Sequence, residues 1–192
     1  MHDFYEKLYL YELSVKEQIV QRLQLTLAFF FPLVGVVGYL LLNVKLPPSL
    51  IKFPEICFWI LMIIAGYHIW DFFYYYKKAW HGWSYSYIPF ASEISQYEKK
   101  VVEHFRSHCN DDAEEIASDY LTNEVIPGYY VEAADRNAKE NEVRSQYLHK
   151  SNRSLTISTY FVIFGLLVFL FADLSKPVDV SVVKPVVMKV GK

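Results

Sequence analysis

Three long apolar runs divide the chain. Residues 23–42 read LQLTLAFFFPLVGVVGYLLL and residues 155–172 read LTISTYFVIFGLLVFLFA, neither carrying a charge; residues 56–75, ICFWILMIIAGYHIWDFFYY, are clean until His68 and Asp71. A helix needs roughly 17–25 apolar residues to cross the hydrocarbon core of a bilayer, so each run has the length of a span. The first is preceded by 22 residues bearing both signs of charge, its apolar stretch is long, and it lacks a small-x-small cleavage site. It is expected to be a retained signal anchor and not a cleaved signal peptide. Pro32 lies within it and would kink it, a feature spanning helices tolerate.

The segments between and before the runs read as helices. Phe4, Leu8, Tyr11, Val15, Gln18 and Arg22 recur at alternating four- and three-residue spacings, with Glu6, Lys7, Glu12, Lys16 and Glu17 on the other faces. This predicts an amphipathic helix over 1–22 running directly into the first span. Its polar face mixes signs, which favours packing on another helix over anchoring at a membrane surface. Pro47, Pro48 and Pro54 make residues 43–55 a short connection, so 23–75 is expected to form a hairpin of two spans. In 76–154, a helix beginning near Pro89 or at a Ser95-x-x-Glu98 capping box presents Ile94, Tyr97, Val101, Phe105 and His108 on one face. Asn110, Asp111 and Asp112 break it and can cap a helix over 113–125, which carries Glu114 and Glu115 in its first turn and which Pro127-Gly128 is expected to end. From Tyr129 the pattern is helical into the third span.

Val131, Ala134, Ala138, Asn141, Ser145, Leu148 and Asn152 follow a strict three-four spacing along that last helix, the repeat of a coiled coil. These residues are mostly small or polar, so the seam allows close packing with little apolar burial. It serves either a homo-oligomer or partner protein, or the N-terminal helix of the same chain. The tail, 173–192, holds two Lys-Pro-Val copies and much valine, and is expected to be extended or disordered.

Basic residues near the ends of the runs orient the chain. Lys16, Arg22, Lys77, Lys78, Lys150 and Arg153 lie on one side, against Lys45, Lys52 and Lys176 on the other. This bias places the N-terminus and 76–154 in the cytoplasm. Trp70, Trp80, Trp83 and the tyrosines between them crowd the end of the second run, as aromatic rings do at headgroup level. The fold expected is thus an all-α integral membrane protein, three transmembrane helices with a helical cytoplasmic segment between the second and third. Composition agrees: of 192 residues, 53% are hydrophobic and only 21% charged, and the net charge of −2 gives no signal for direct nucleic-acid binding. Cys57 and Cys109 are too few and too far apart for a disulfide framework.

The chain offers no catalytic constellation and no cofactor motif. His104, His108 and Cys109 come nearest to a metal site, but a third and fourth ligand are not supplied downstream, so packed or interfacial histidines are expected. No His-Glu-x-x-His motif, nucleophile elbow or Walker-type loop occurs. The densest polar cluster, Asp135, Arg136, Asn137 and Asn141, reads as an interaction surface.

The stretch FYEKLYLYEL at 4–13, followed by KEQIVQRLQL at 16–25, together with Asn137, Asn141, Arg144, Tyr147 and Leu148 before a further span, resembles the small transmembrane effectors of bacterial antiphage systems, those associated with retrons or with cyclic-oligonucleotide signalling. The resemblance implies a multi-pass protein of the bacterial inner membrane that acts without catalysis. Such a protein is silent until infection and then permeabilises the membrane, as an oligomer released from a cytoplasmic complex, such as a reverse transcriptase with its nucleic acid. The alternative is a non-toxic scaffold that recruits a soluble complex.

Overall fold

The computed structural model describes residues 2–44, 53–82, 84–107 and 112–175. Residues 45–52 of the expected 43–55 connection, the His108–Cys109 part of the candidate metal site, Asn110 and Asp111 of the expected helix break, and the tail from 176 onward lie outside the described residues. Among those described the fold is almost wholly helical: α1 (His2–Asn43), α2 (Phe53–Trp80), α3 (Ala91–Arg106), α4 (Ala113–Tyr120), a π-helical turn (Leu121–Val125) and α5 (Ile126–Phe171). Three helical stretches are long and apolar enough to cross a membrane, within α1, within α2, and within the rod made by α4, the π turn and α5.

The charged N-terminal segment and the first apolar run form one helix, α1, which continues through Pro32. The face it buries differs from the one its spacing suggested. Phe4, Leu8 and Tyr11 stay exposed, and the inward stripe is Tyr9, Ile19, Leu23, Thr26, Phe30, Leu33 and Leu40, with Glu12 and Lys16 half-buried on the same side. Two charged residues can occupy this face because neighbouring elements supply them with hydrogen-bond partners, so charge marks no outer surface here.

Pro127-Gly128 does not end a helix. The chain passes from α4 through the π turn into α5 without a break. At the end of the turn, Ile126 N–H donates to the Leu121 carbonyl. The wide turn shifts the hydrogen-bond register just before Pro127, which has no N–H to give, and so accommodates a ring that would clash inside a regular α-helix. α3 starts at Ala91 and not at the Ser95 box: Phe90 N–H donates to Glu93 Oε2 at 3.1 Å, and Glu93 N–H to the Phe90 carbonyl at 2.8 Å. α3 and α4 form a short hairpin, joined by the Phe105–Tyr120 ring contact and an exposed Arg106–Glu114 ion pair.

α5 organises the molecule. Its buried residues Ala134, Asn137, Asn141, Arg144, Leu148, Ser151, Leu155, Ser158, Val162, Gly165 and Phe169 alternate at three and four residues for its whole length. α2 packs antiparallel along this stripe, and α1 runs parallel to α5; α1 and α2 meet mainly through Phe30, stacked on Phe72 and edge-on to Phe73. The α2–α5 contact repeats every heptad. Arg144 donates to the Ala79 carbonyl, Ser151 to that of Phe72 and Ser158 to that of Ala65, each step moving seven residues on both helices. Gly165 is the next residue in the series, and a Cβ there would stand 3.2 Å from Met62 Sδ. Small residues at this spacing bring the backbones together, and the serine hydroxyls meet carbonyls in an apolar surrounding.

α5 ends in a Schellman turn. Leu174 N–H reaches the Phe169 carbonyl, Asp173 N–H reaches that of Leu170, and Asp173 takes the left-handed conformation at φ 48°. Leu174 packs into the core, and Ser175 pairs with Val44 beyond the end of α1.

Candidate functional site

The polar end of the bundle holds a buried hydrogen-bond network built from α1, the end of α2, the 81–90 loop and α5. Asn137 is fully buried and pairs both edges of its side-chain amide with the backbone of Ser86, accepting from its N–H at 2.8 Å and donating to its carbonyl at 3.0 Å. One side chain thereby satisfies both polar groups of a loop residue that has no helix to pair with. One turn on, Asn141 Nδ2 donates to the backbone carbonyl and to Oε2 of Glu12, at 2.8 and 2.9 Å, while its Oδ1 accepts from the Tyr85 hydroxyl.

Arg144, 3% exposed, closes the network. Its Nε donates to the Ala79 carbonyl and its Nη1 to the Tyr85 hydroxyl, both at 2.8 Å. The cation sits at the carbonyl end of α2, where the helix dipole favours positive charge, with its guanidinium carbon 5.5 Å from the centre of the Tyr85 ring. Gly82 is required here by close approach: a Cβ would lie 2.9 Å from both Arg144 Nη1 and Tyr85 Cε2. From α1, Lys16 lies 4.7 Å from the Tyr85 ring centre and donates to the Tyr87 hydroxyl at 2.6 Å. Burial pushes the Tyr85 hydroxyl above its ordinary value, and the bond from Arg144 pulls the other way less strongly. Tyr85 is thus held as a neutral phenol that donates to Asn141 and accepts from Arg144.

The residues of the sequence-derived seam fall on two sides. Ala134, Asn141 and Leu148 are buried within the chain, Ala138 is half-buried, and Val131, Ser145 and Asn152 are exposed. Asn152 Oδ1 also accepts from Thr26 of α1 at 2.9 Å. In the polar cluster, Asn137 and Asn141 turn inward, while Asp135 stays exposed in an ion pair with Lys139. Asn137, Arg144 and Ser151 were legible only by running the seven-residue period of the third apolar run backwards from Gly165 and Ser158. Nothing in the spacing pointed to Glu12, Gly82 or Tyr85, because their role depends on where the 81–90 loop lies.

The hydrogen bonds of the network tie α1, the end of α2, the loop after it and α5 together. Among the described residues no group of three or more His, Cys, Asp or Glu could hold a metal ion. His104 is exposed and lies edge-on to Phe105. Farther along α2, His68 lies parallel to the Phe161 ring with centroids 6.2 Å apart, and its Nδ1 and the Tyr76 hydroxyl are buried without a hydrogen-bond partner among the described residues. No protein-family model, curated protein sequence or solved structure matches the chain.

Proposed function

We propose that the chain is a three-span effector of the bacterial inner membrane that permeabilises the bilayer as an oligomer once a cytoplasmic partner releases it. The observation that carries this reading is the division of α1 and α5 into two unlike halves. Each helix runs unbroken from a polar half, tied by the Asn137–Asn141–Arg144 clamp, into an apolar half with an apolar outer surface. In the apolar halves Ser158 points inward, whereas Phe29, Phe31, Phe164 and Phe171 point outward. That distribution suits lipid as the surrounding medium. Continuous helices give a partner bound at the polar half a mechanical grip on the spans.

Among the described residues the three helices meet on a packed apolar core. Phe30, Phe58, Phe72, Val162 and Phe169 fill the space between the three helices. Permeation therefore requires several copies. With the basic bias setting orientation, the polar half and the α3–α4 hairpin face the cytoplasm. In a background with both native cysteines replaced, a cysteine at Ser118 is then protected from an impermeant thiol reagent in intact cells.

The test of function is expression of the chain alone in bacteria with a membrane-potential dye. The effector reading predicts arrested growth preceded by depolarisation. Normal growth and full potential at matched membrane levels would support the scaffold that recruits a soluble complex instead.

A further inference from the structure

A groove of about 440 Å³ opens on the outside of the bundle between α1 and α5. Its apolar wall is Leu25 and Phe29 on one helix with Leu155 and Tyr160 on the other. Leu25, Phe29 and Tyr160 are all more than half exposed, so the wall is uncovered within the chain.

The groove also has a polar end. The Thr26 hydroxyl donates to the Arg22 carbonyl, with Asn152 Oδ1 also 2.9 Å away, and the Thr156 hydroxyl donates to the Asn152 carbonyl at 2.9 Å. Arg22, four and seven residues before Thr26 and Phe29, shares the groove-lining face of α1 one turn before the groove, and Arg153, exposed and next to Asn152, flanks that end on α5. Because α1 and α5 run parallel, both arginines stand at the same end. From Arg22 to the end of α1, and from Arg153 to the end of α5, neither helix carries a carboxylate. The groove is thus flanked by two arginines at its polar end and is apolar along the rest.

We infer that this groove binds an anionic phospholipid, its headgroup at the end flanked by Arg22 and Arg153 and its acyl chains along Phe29, Leu155 and Tyr160. A basic recess between spans at the membrane boundary is the form such sites take. Packing by a helix from a second copy would leave two like charges facing an uncharged apolar surface. The bound lipid bridges α1 and α5 at the point where the polar clamp gives way to the apolar core. The inference rests on the reading that these helices cross a bilayer, and is independent of whether the protein permeabilises it.

The test is native mass spectrometry of the full chain, extracted from membranes in mild detergent and exposed to phosphatidylglycerol or phosphatidylcholine. Phosphatidylglycerol is expected to be retained preferentially. The Arg22→Gln/Arg153→Gln double variant should retain it about tenfold less, with helix content unchanged. Thr156→Trp, which fills the groove but keeps both arginines, should lower retention as well. Equal retention of the two lipids, or phosphatidylglycerol retention unchanged in the double variant, would overturn the site. Efficient disulfide dimers through Thr156→Cys in membranes would also overturn it, by assigning the groove to a second copy. Recovery of the chain from the soluble fraction without detergent would instead defeat the membrane reading beneath it.

Discussion

Arg144 Nε donates to the carbonyl of Ala79 at 2.8 Å, joining the midpoint of α5 to the last turn of α2. The same guanidinium holds the Tyr85 hydroxyl, so one side chain fixes both the end of a helix and the loop that follows it. Replacing Arg144 by Ala should leave a buried carbonyl and a buried phenol each short of a partner, destabilising the bundle by about 3 kcal/mol. Arg144→Lys should recover only part, because an ammonium lacks the two-pronged geometry. Reversible unfolding in mixed micelles, followed by circular dichroism, measures both variants.

How much of the fold was legible in the sequence depends on the residue type. The three helices long and apolar enough to cross a membrane were plain because runs of Leu, Phe, Val and Ile without charge have few other uses in a chain of this length. The rotation of α5 was hidden because its inward positions include Asn137, Arg144 and Ser151, which polarity alone would assign to the surface. Positions 134, 141 and 148 belong both to the seam drawn from sequence and to the buried stripe; the intervening step is where the two diverge. On α1 the exposed Phe4, Leu8 and Tyr11 outweighed Glu12 and Lys16 in any periodicity count. Only a fold that brings Asn141 and Tyr87 to those charges reverses the result.

The small-residue contact between α2 and α5 predicts a compensating pair. A Cβ at position 165 would already stand 3.2 Å from Met62 Sδ, so the branched side chain of Gly165→Val should be forced against that sulfur and cost about 1–3 kcal/mol. Met62→Ala in the same chain should restore part of that loss, since the two sites are in contact and need not add. Additive losses in the unfolding midpoints would contradict the close approach.

Tyr85 should give the network an alkaline limit. Its folded pKa is raised above the unfolded value of about 10 by burial, so the neutral phenol is favoured in the fold. Its contribution is therefore complete below the unfolded value and is lost as pH rises through the folded one. The stability difference between the parent and Tyr85→Phe should hold constant from about pH 6 to 9 and change only beyond about pH 10. A change near neutrality would contradict a buried neutral phenol.

The exposed half of the seam separates assembly from folding. Ser145 faces outward, whereas Asn141 is tied to Glu12 and Tyr85 inside the chain. In an oligomer that meets along this face, Ser145→Cys should form a disulfide-linked dimer in membranes while the bundle stays folded. Asn141→Lys should instead lower the unfolding midpoint, because a cation replaces an amide that both donates and accepts. Absence of any Ser145→Cys dimer would remove this face from the oligomer.

The central claim, that several copies of this chain open the bilayer by themselves, is tested most directly with the purified protein in liposomes loaded with a self-quenched dye. Since the three-helix interior is filled, release should rise more steeply than linearly with the number of chains per vesicle and be absent at about one chain per vesicle. Intact vesicles at every protein density, with the chain shown to be inserted, would contradict it.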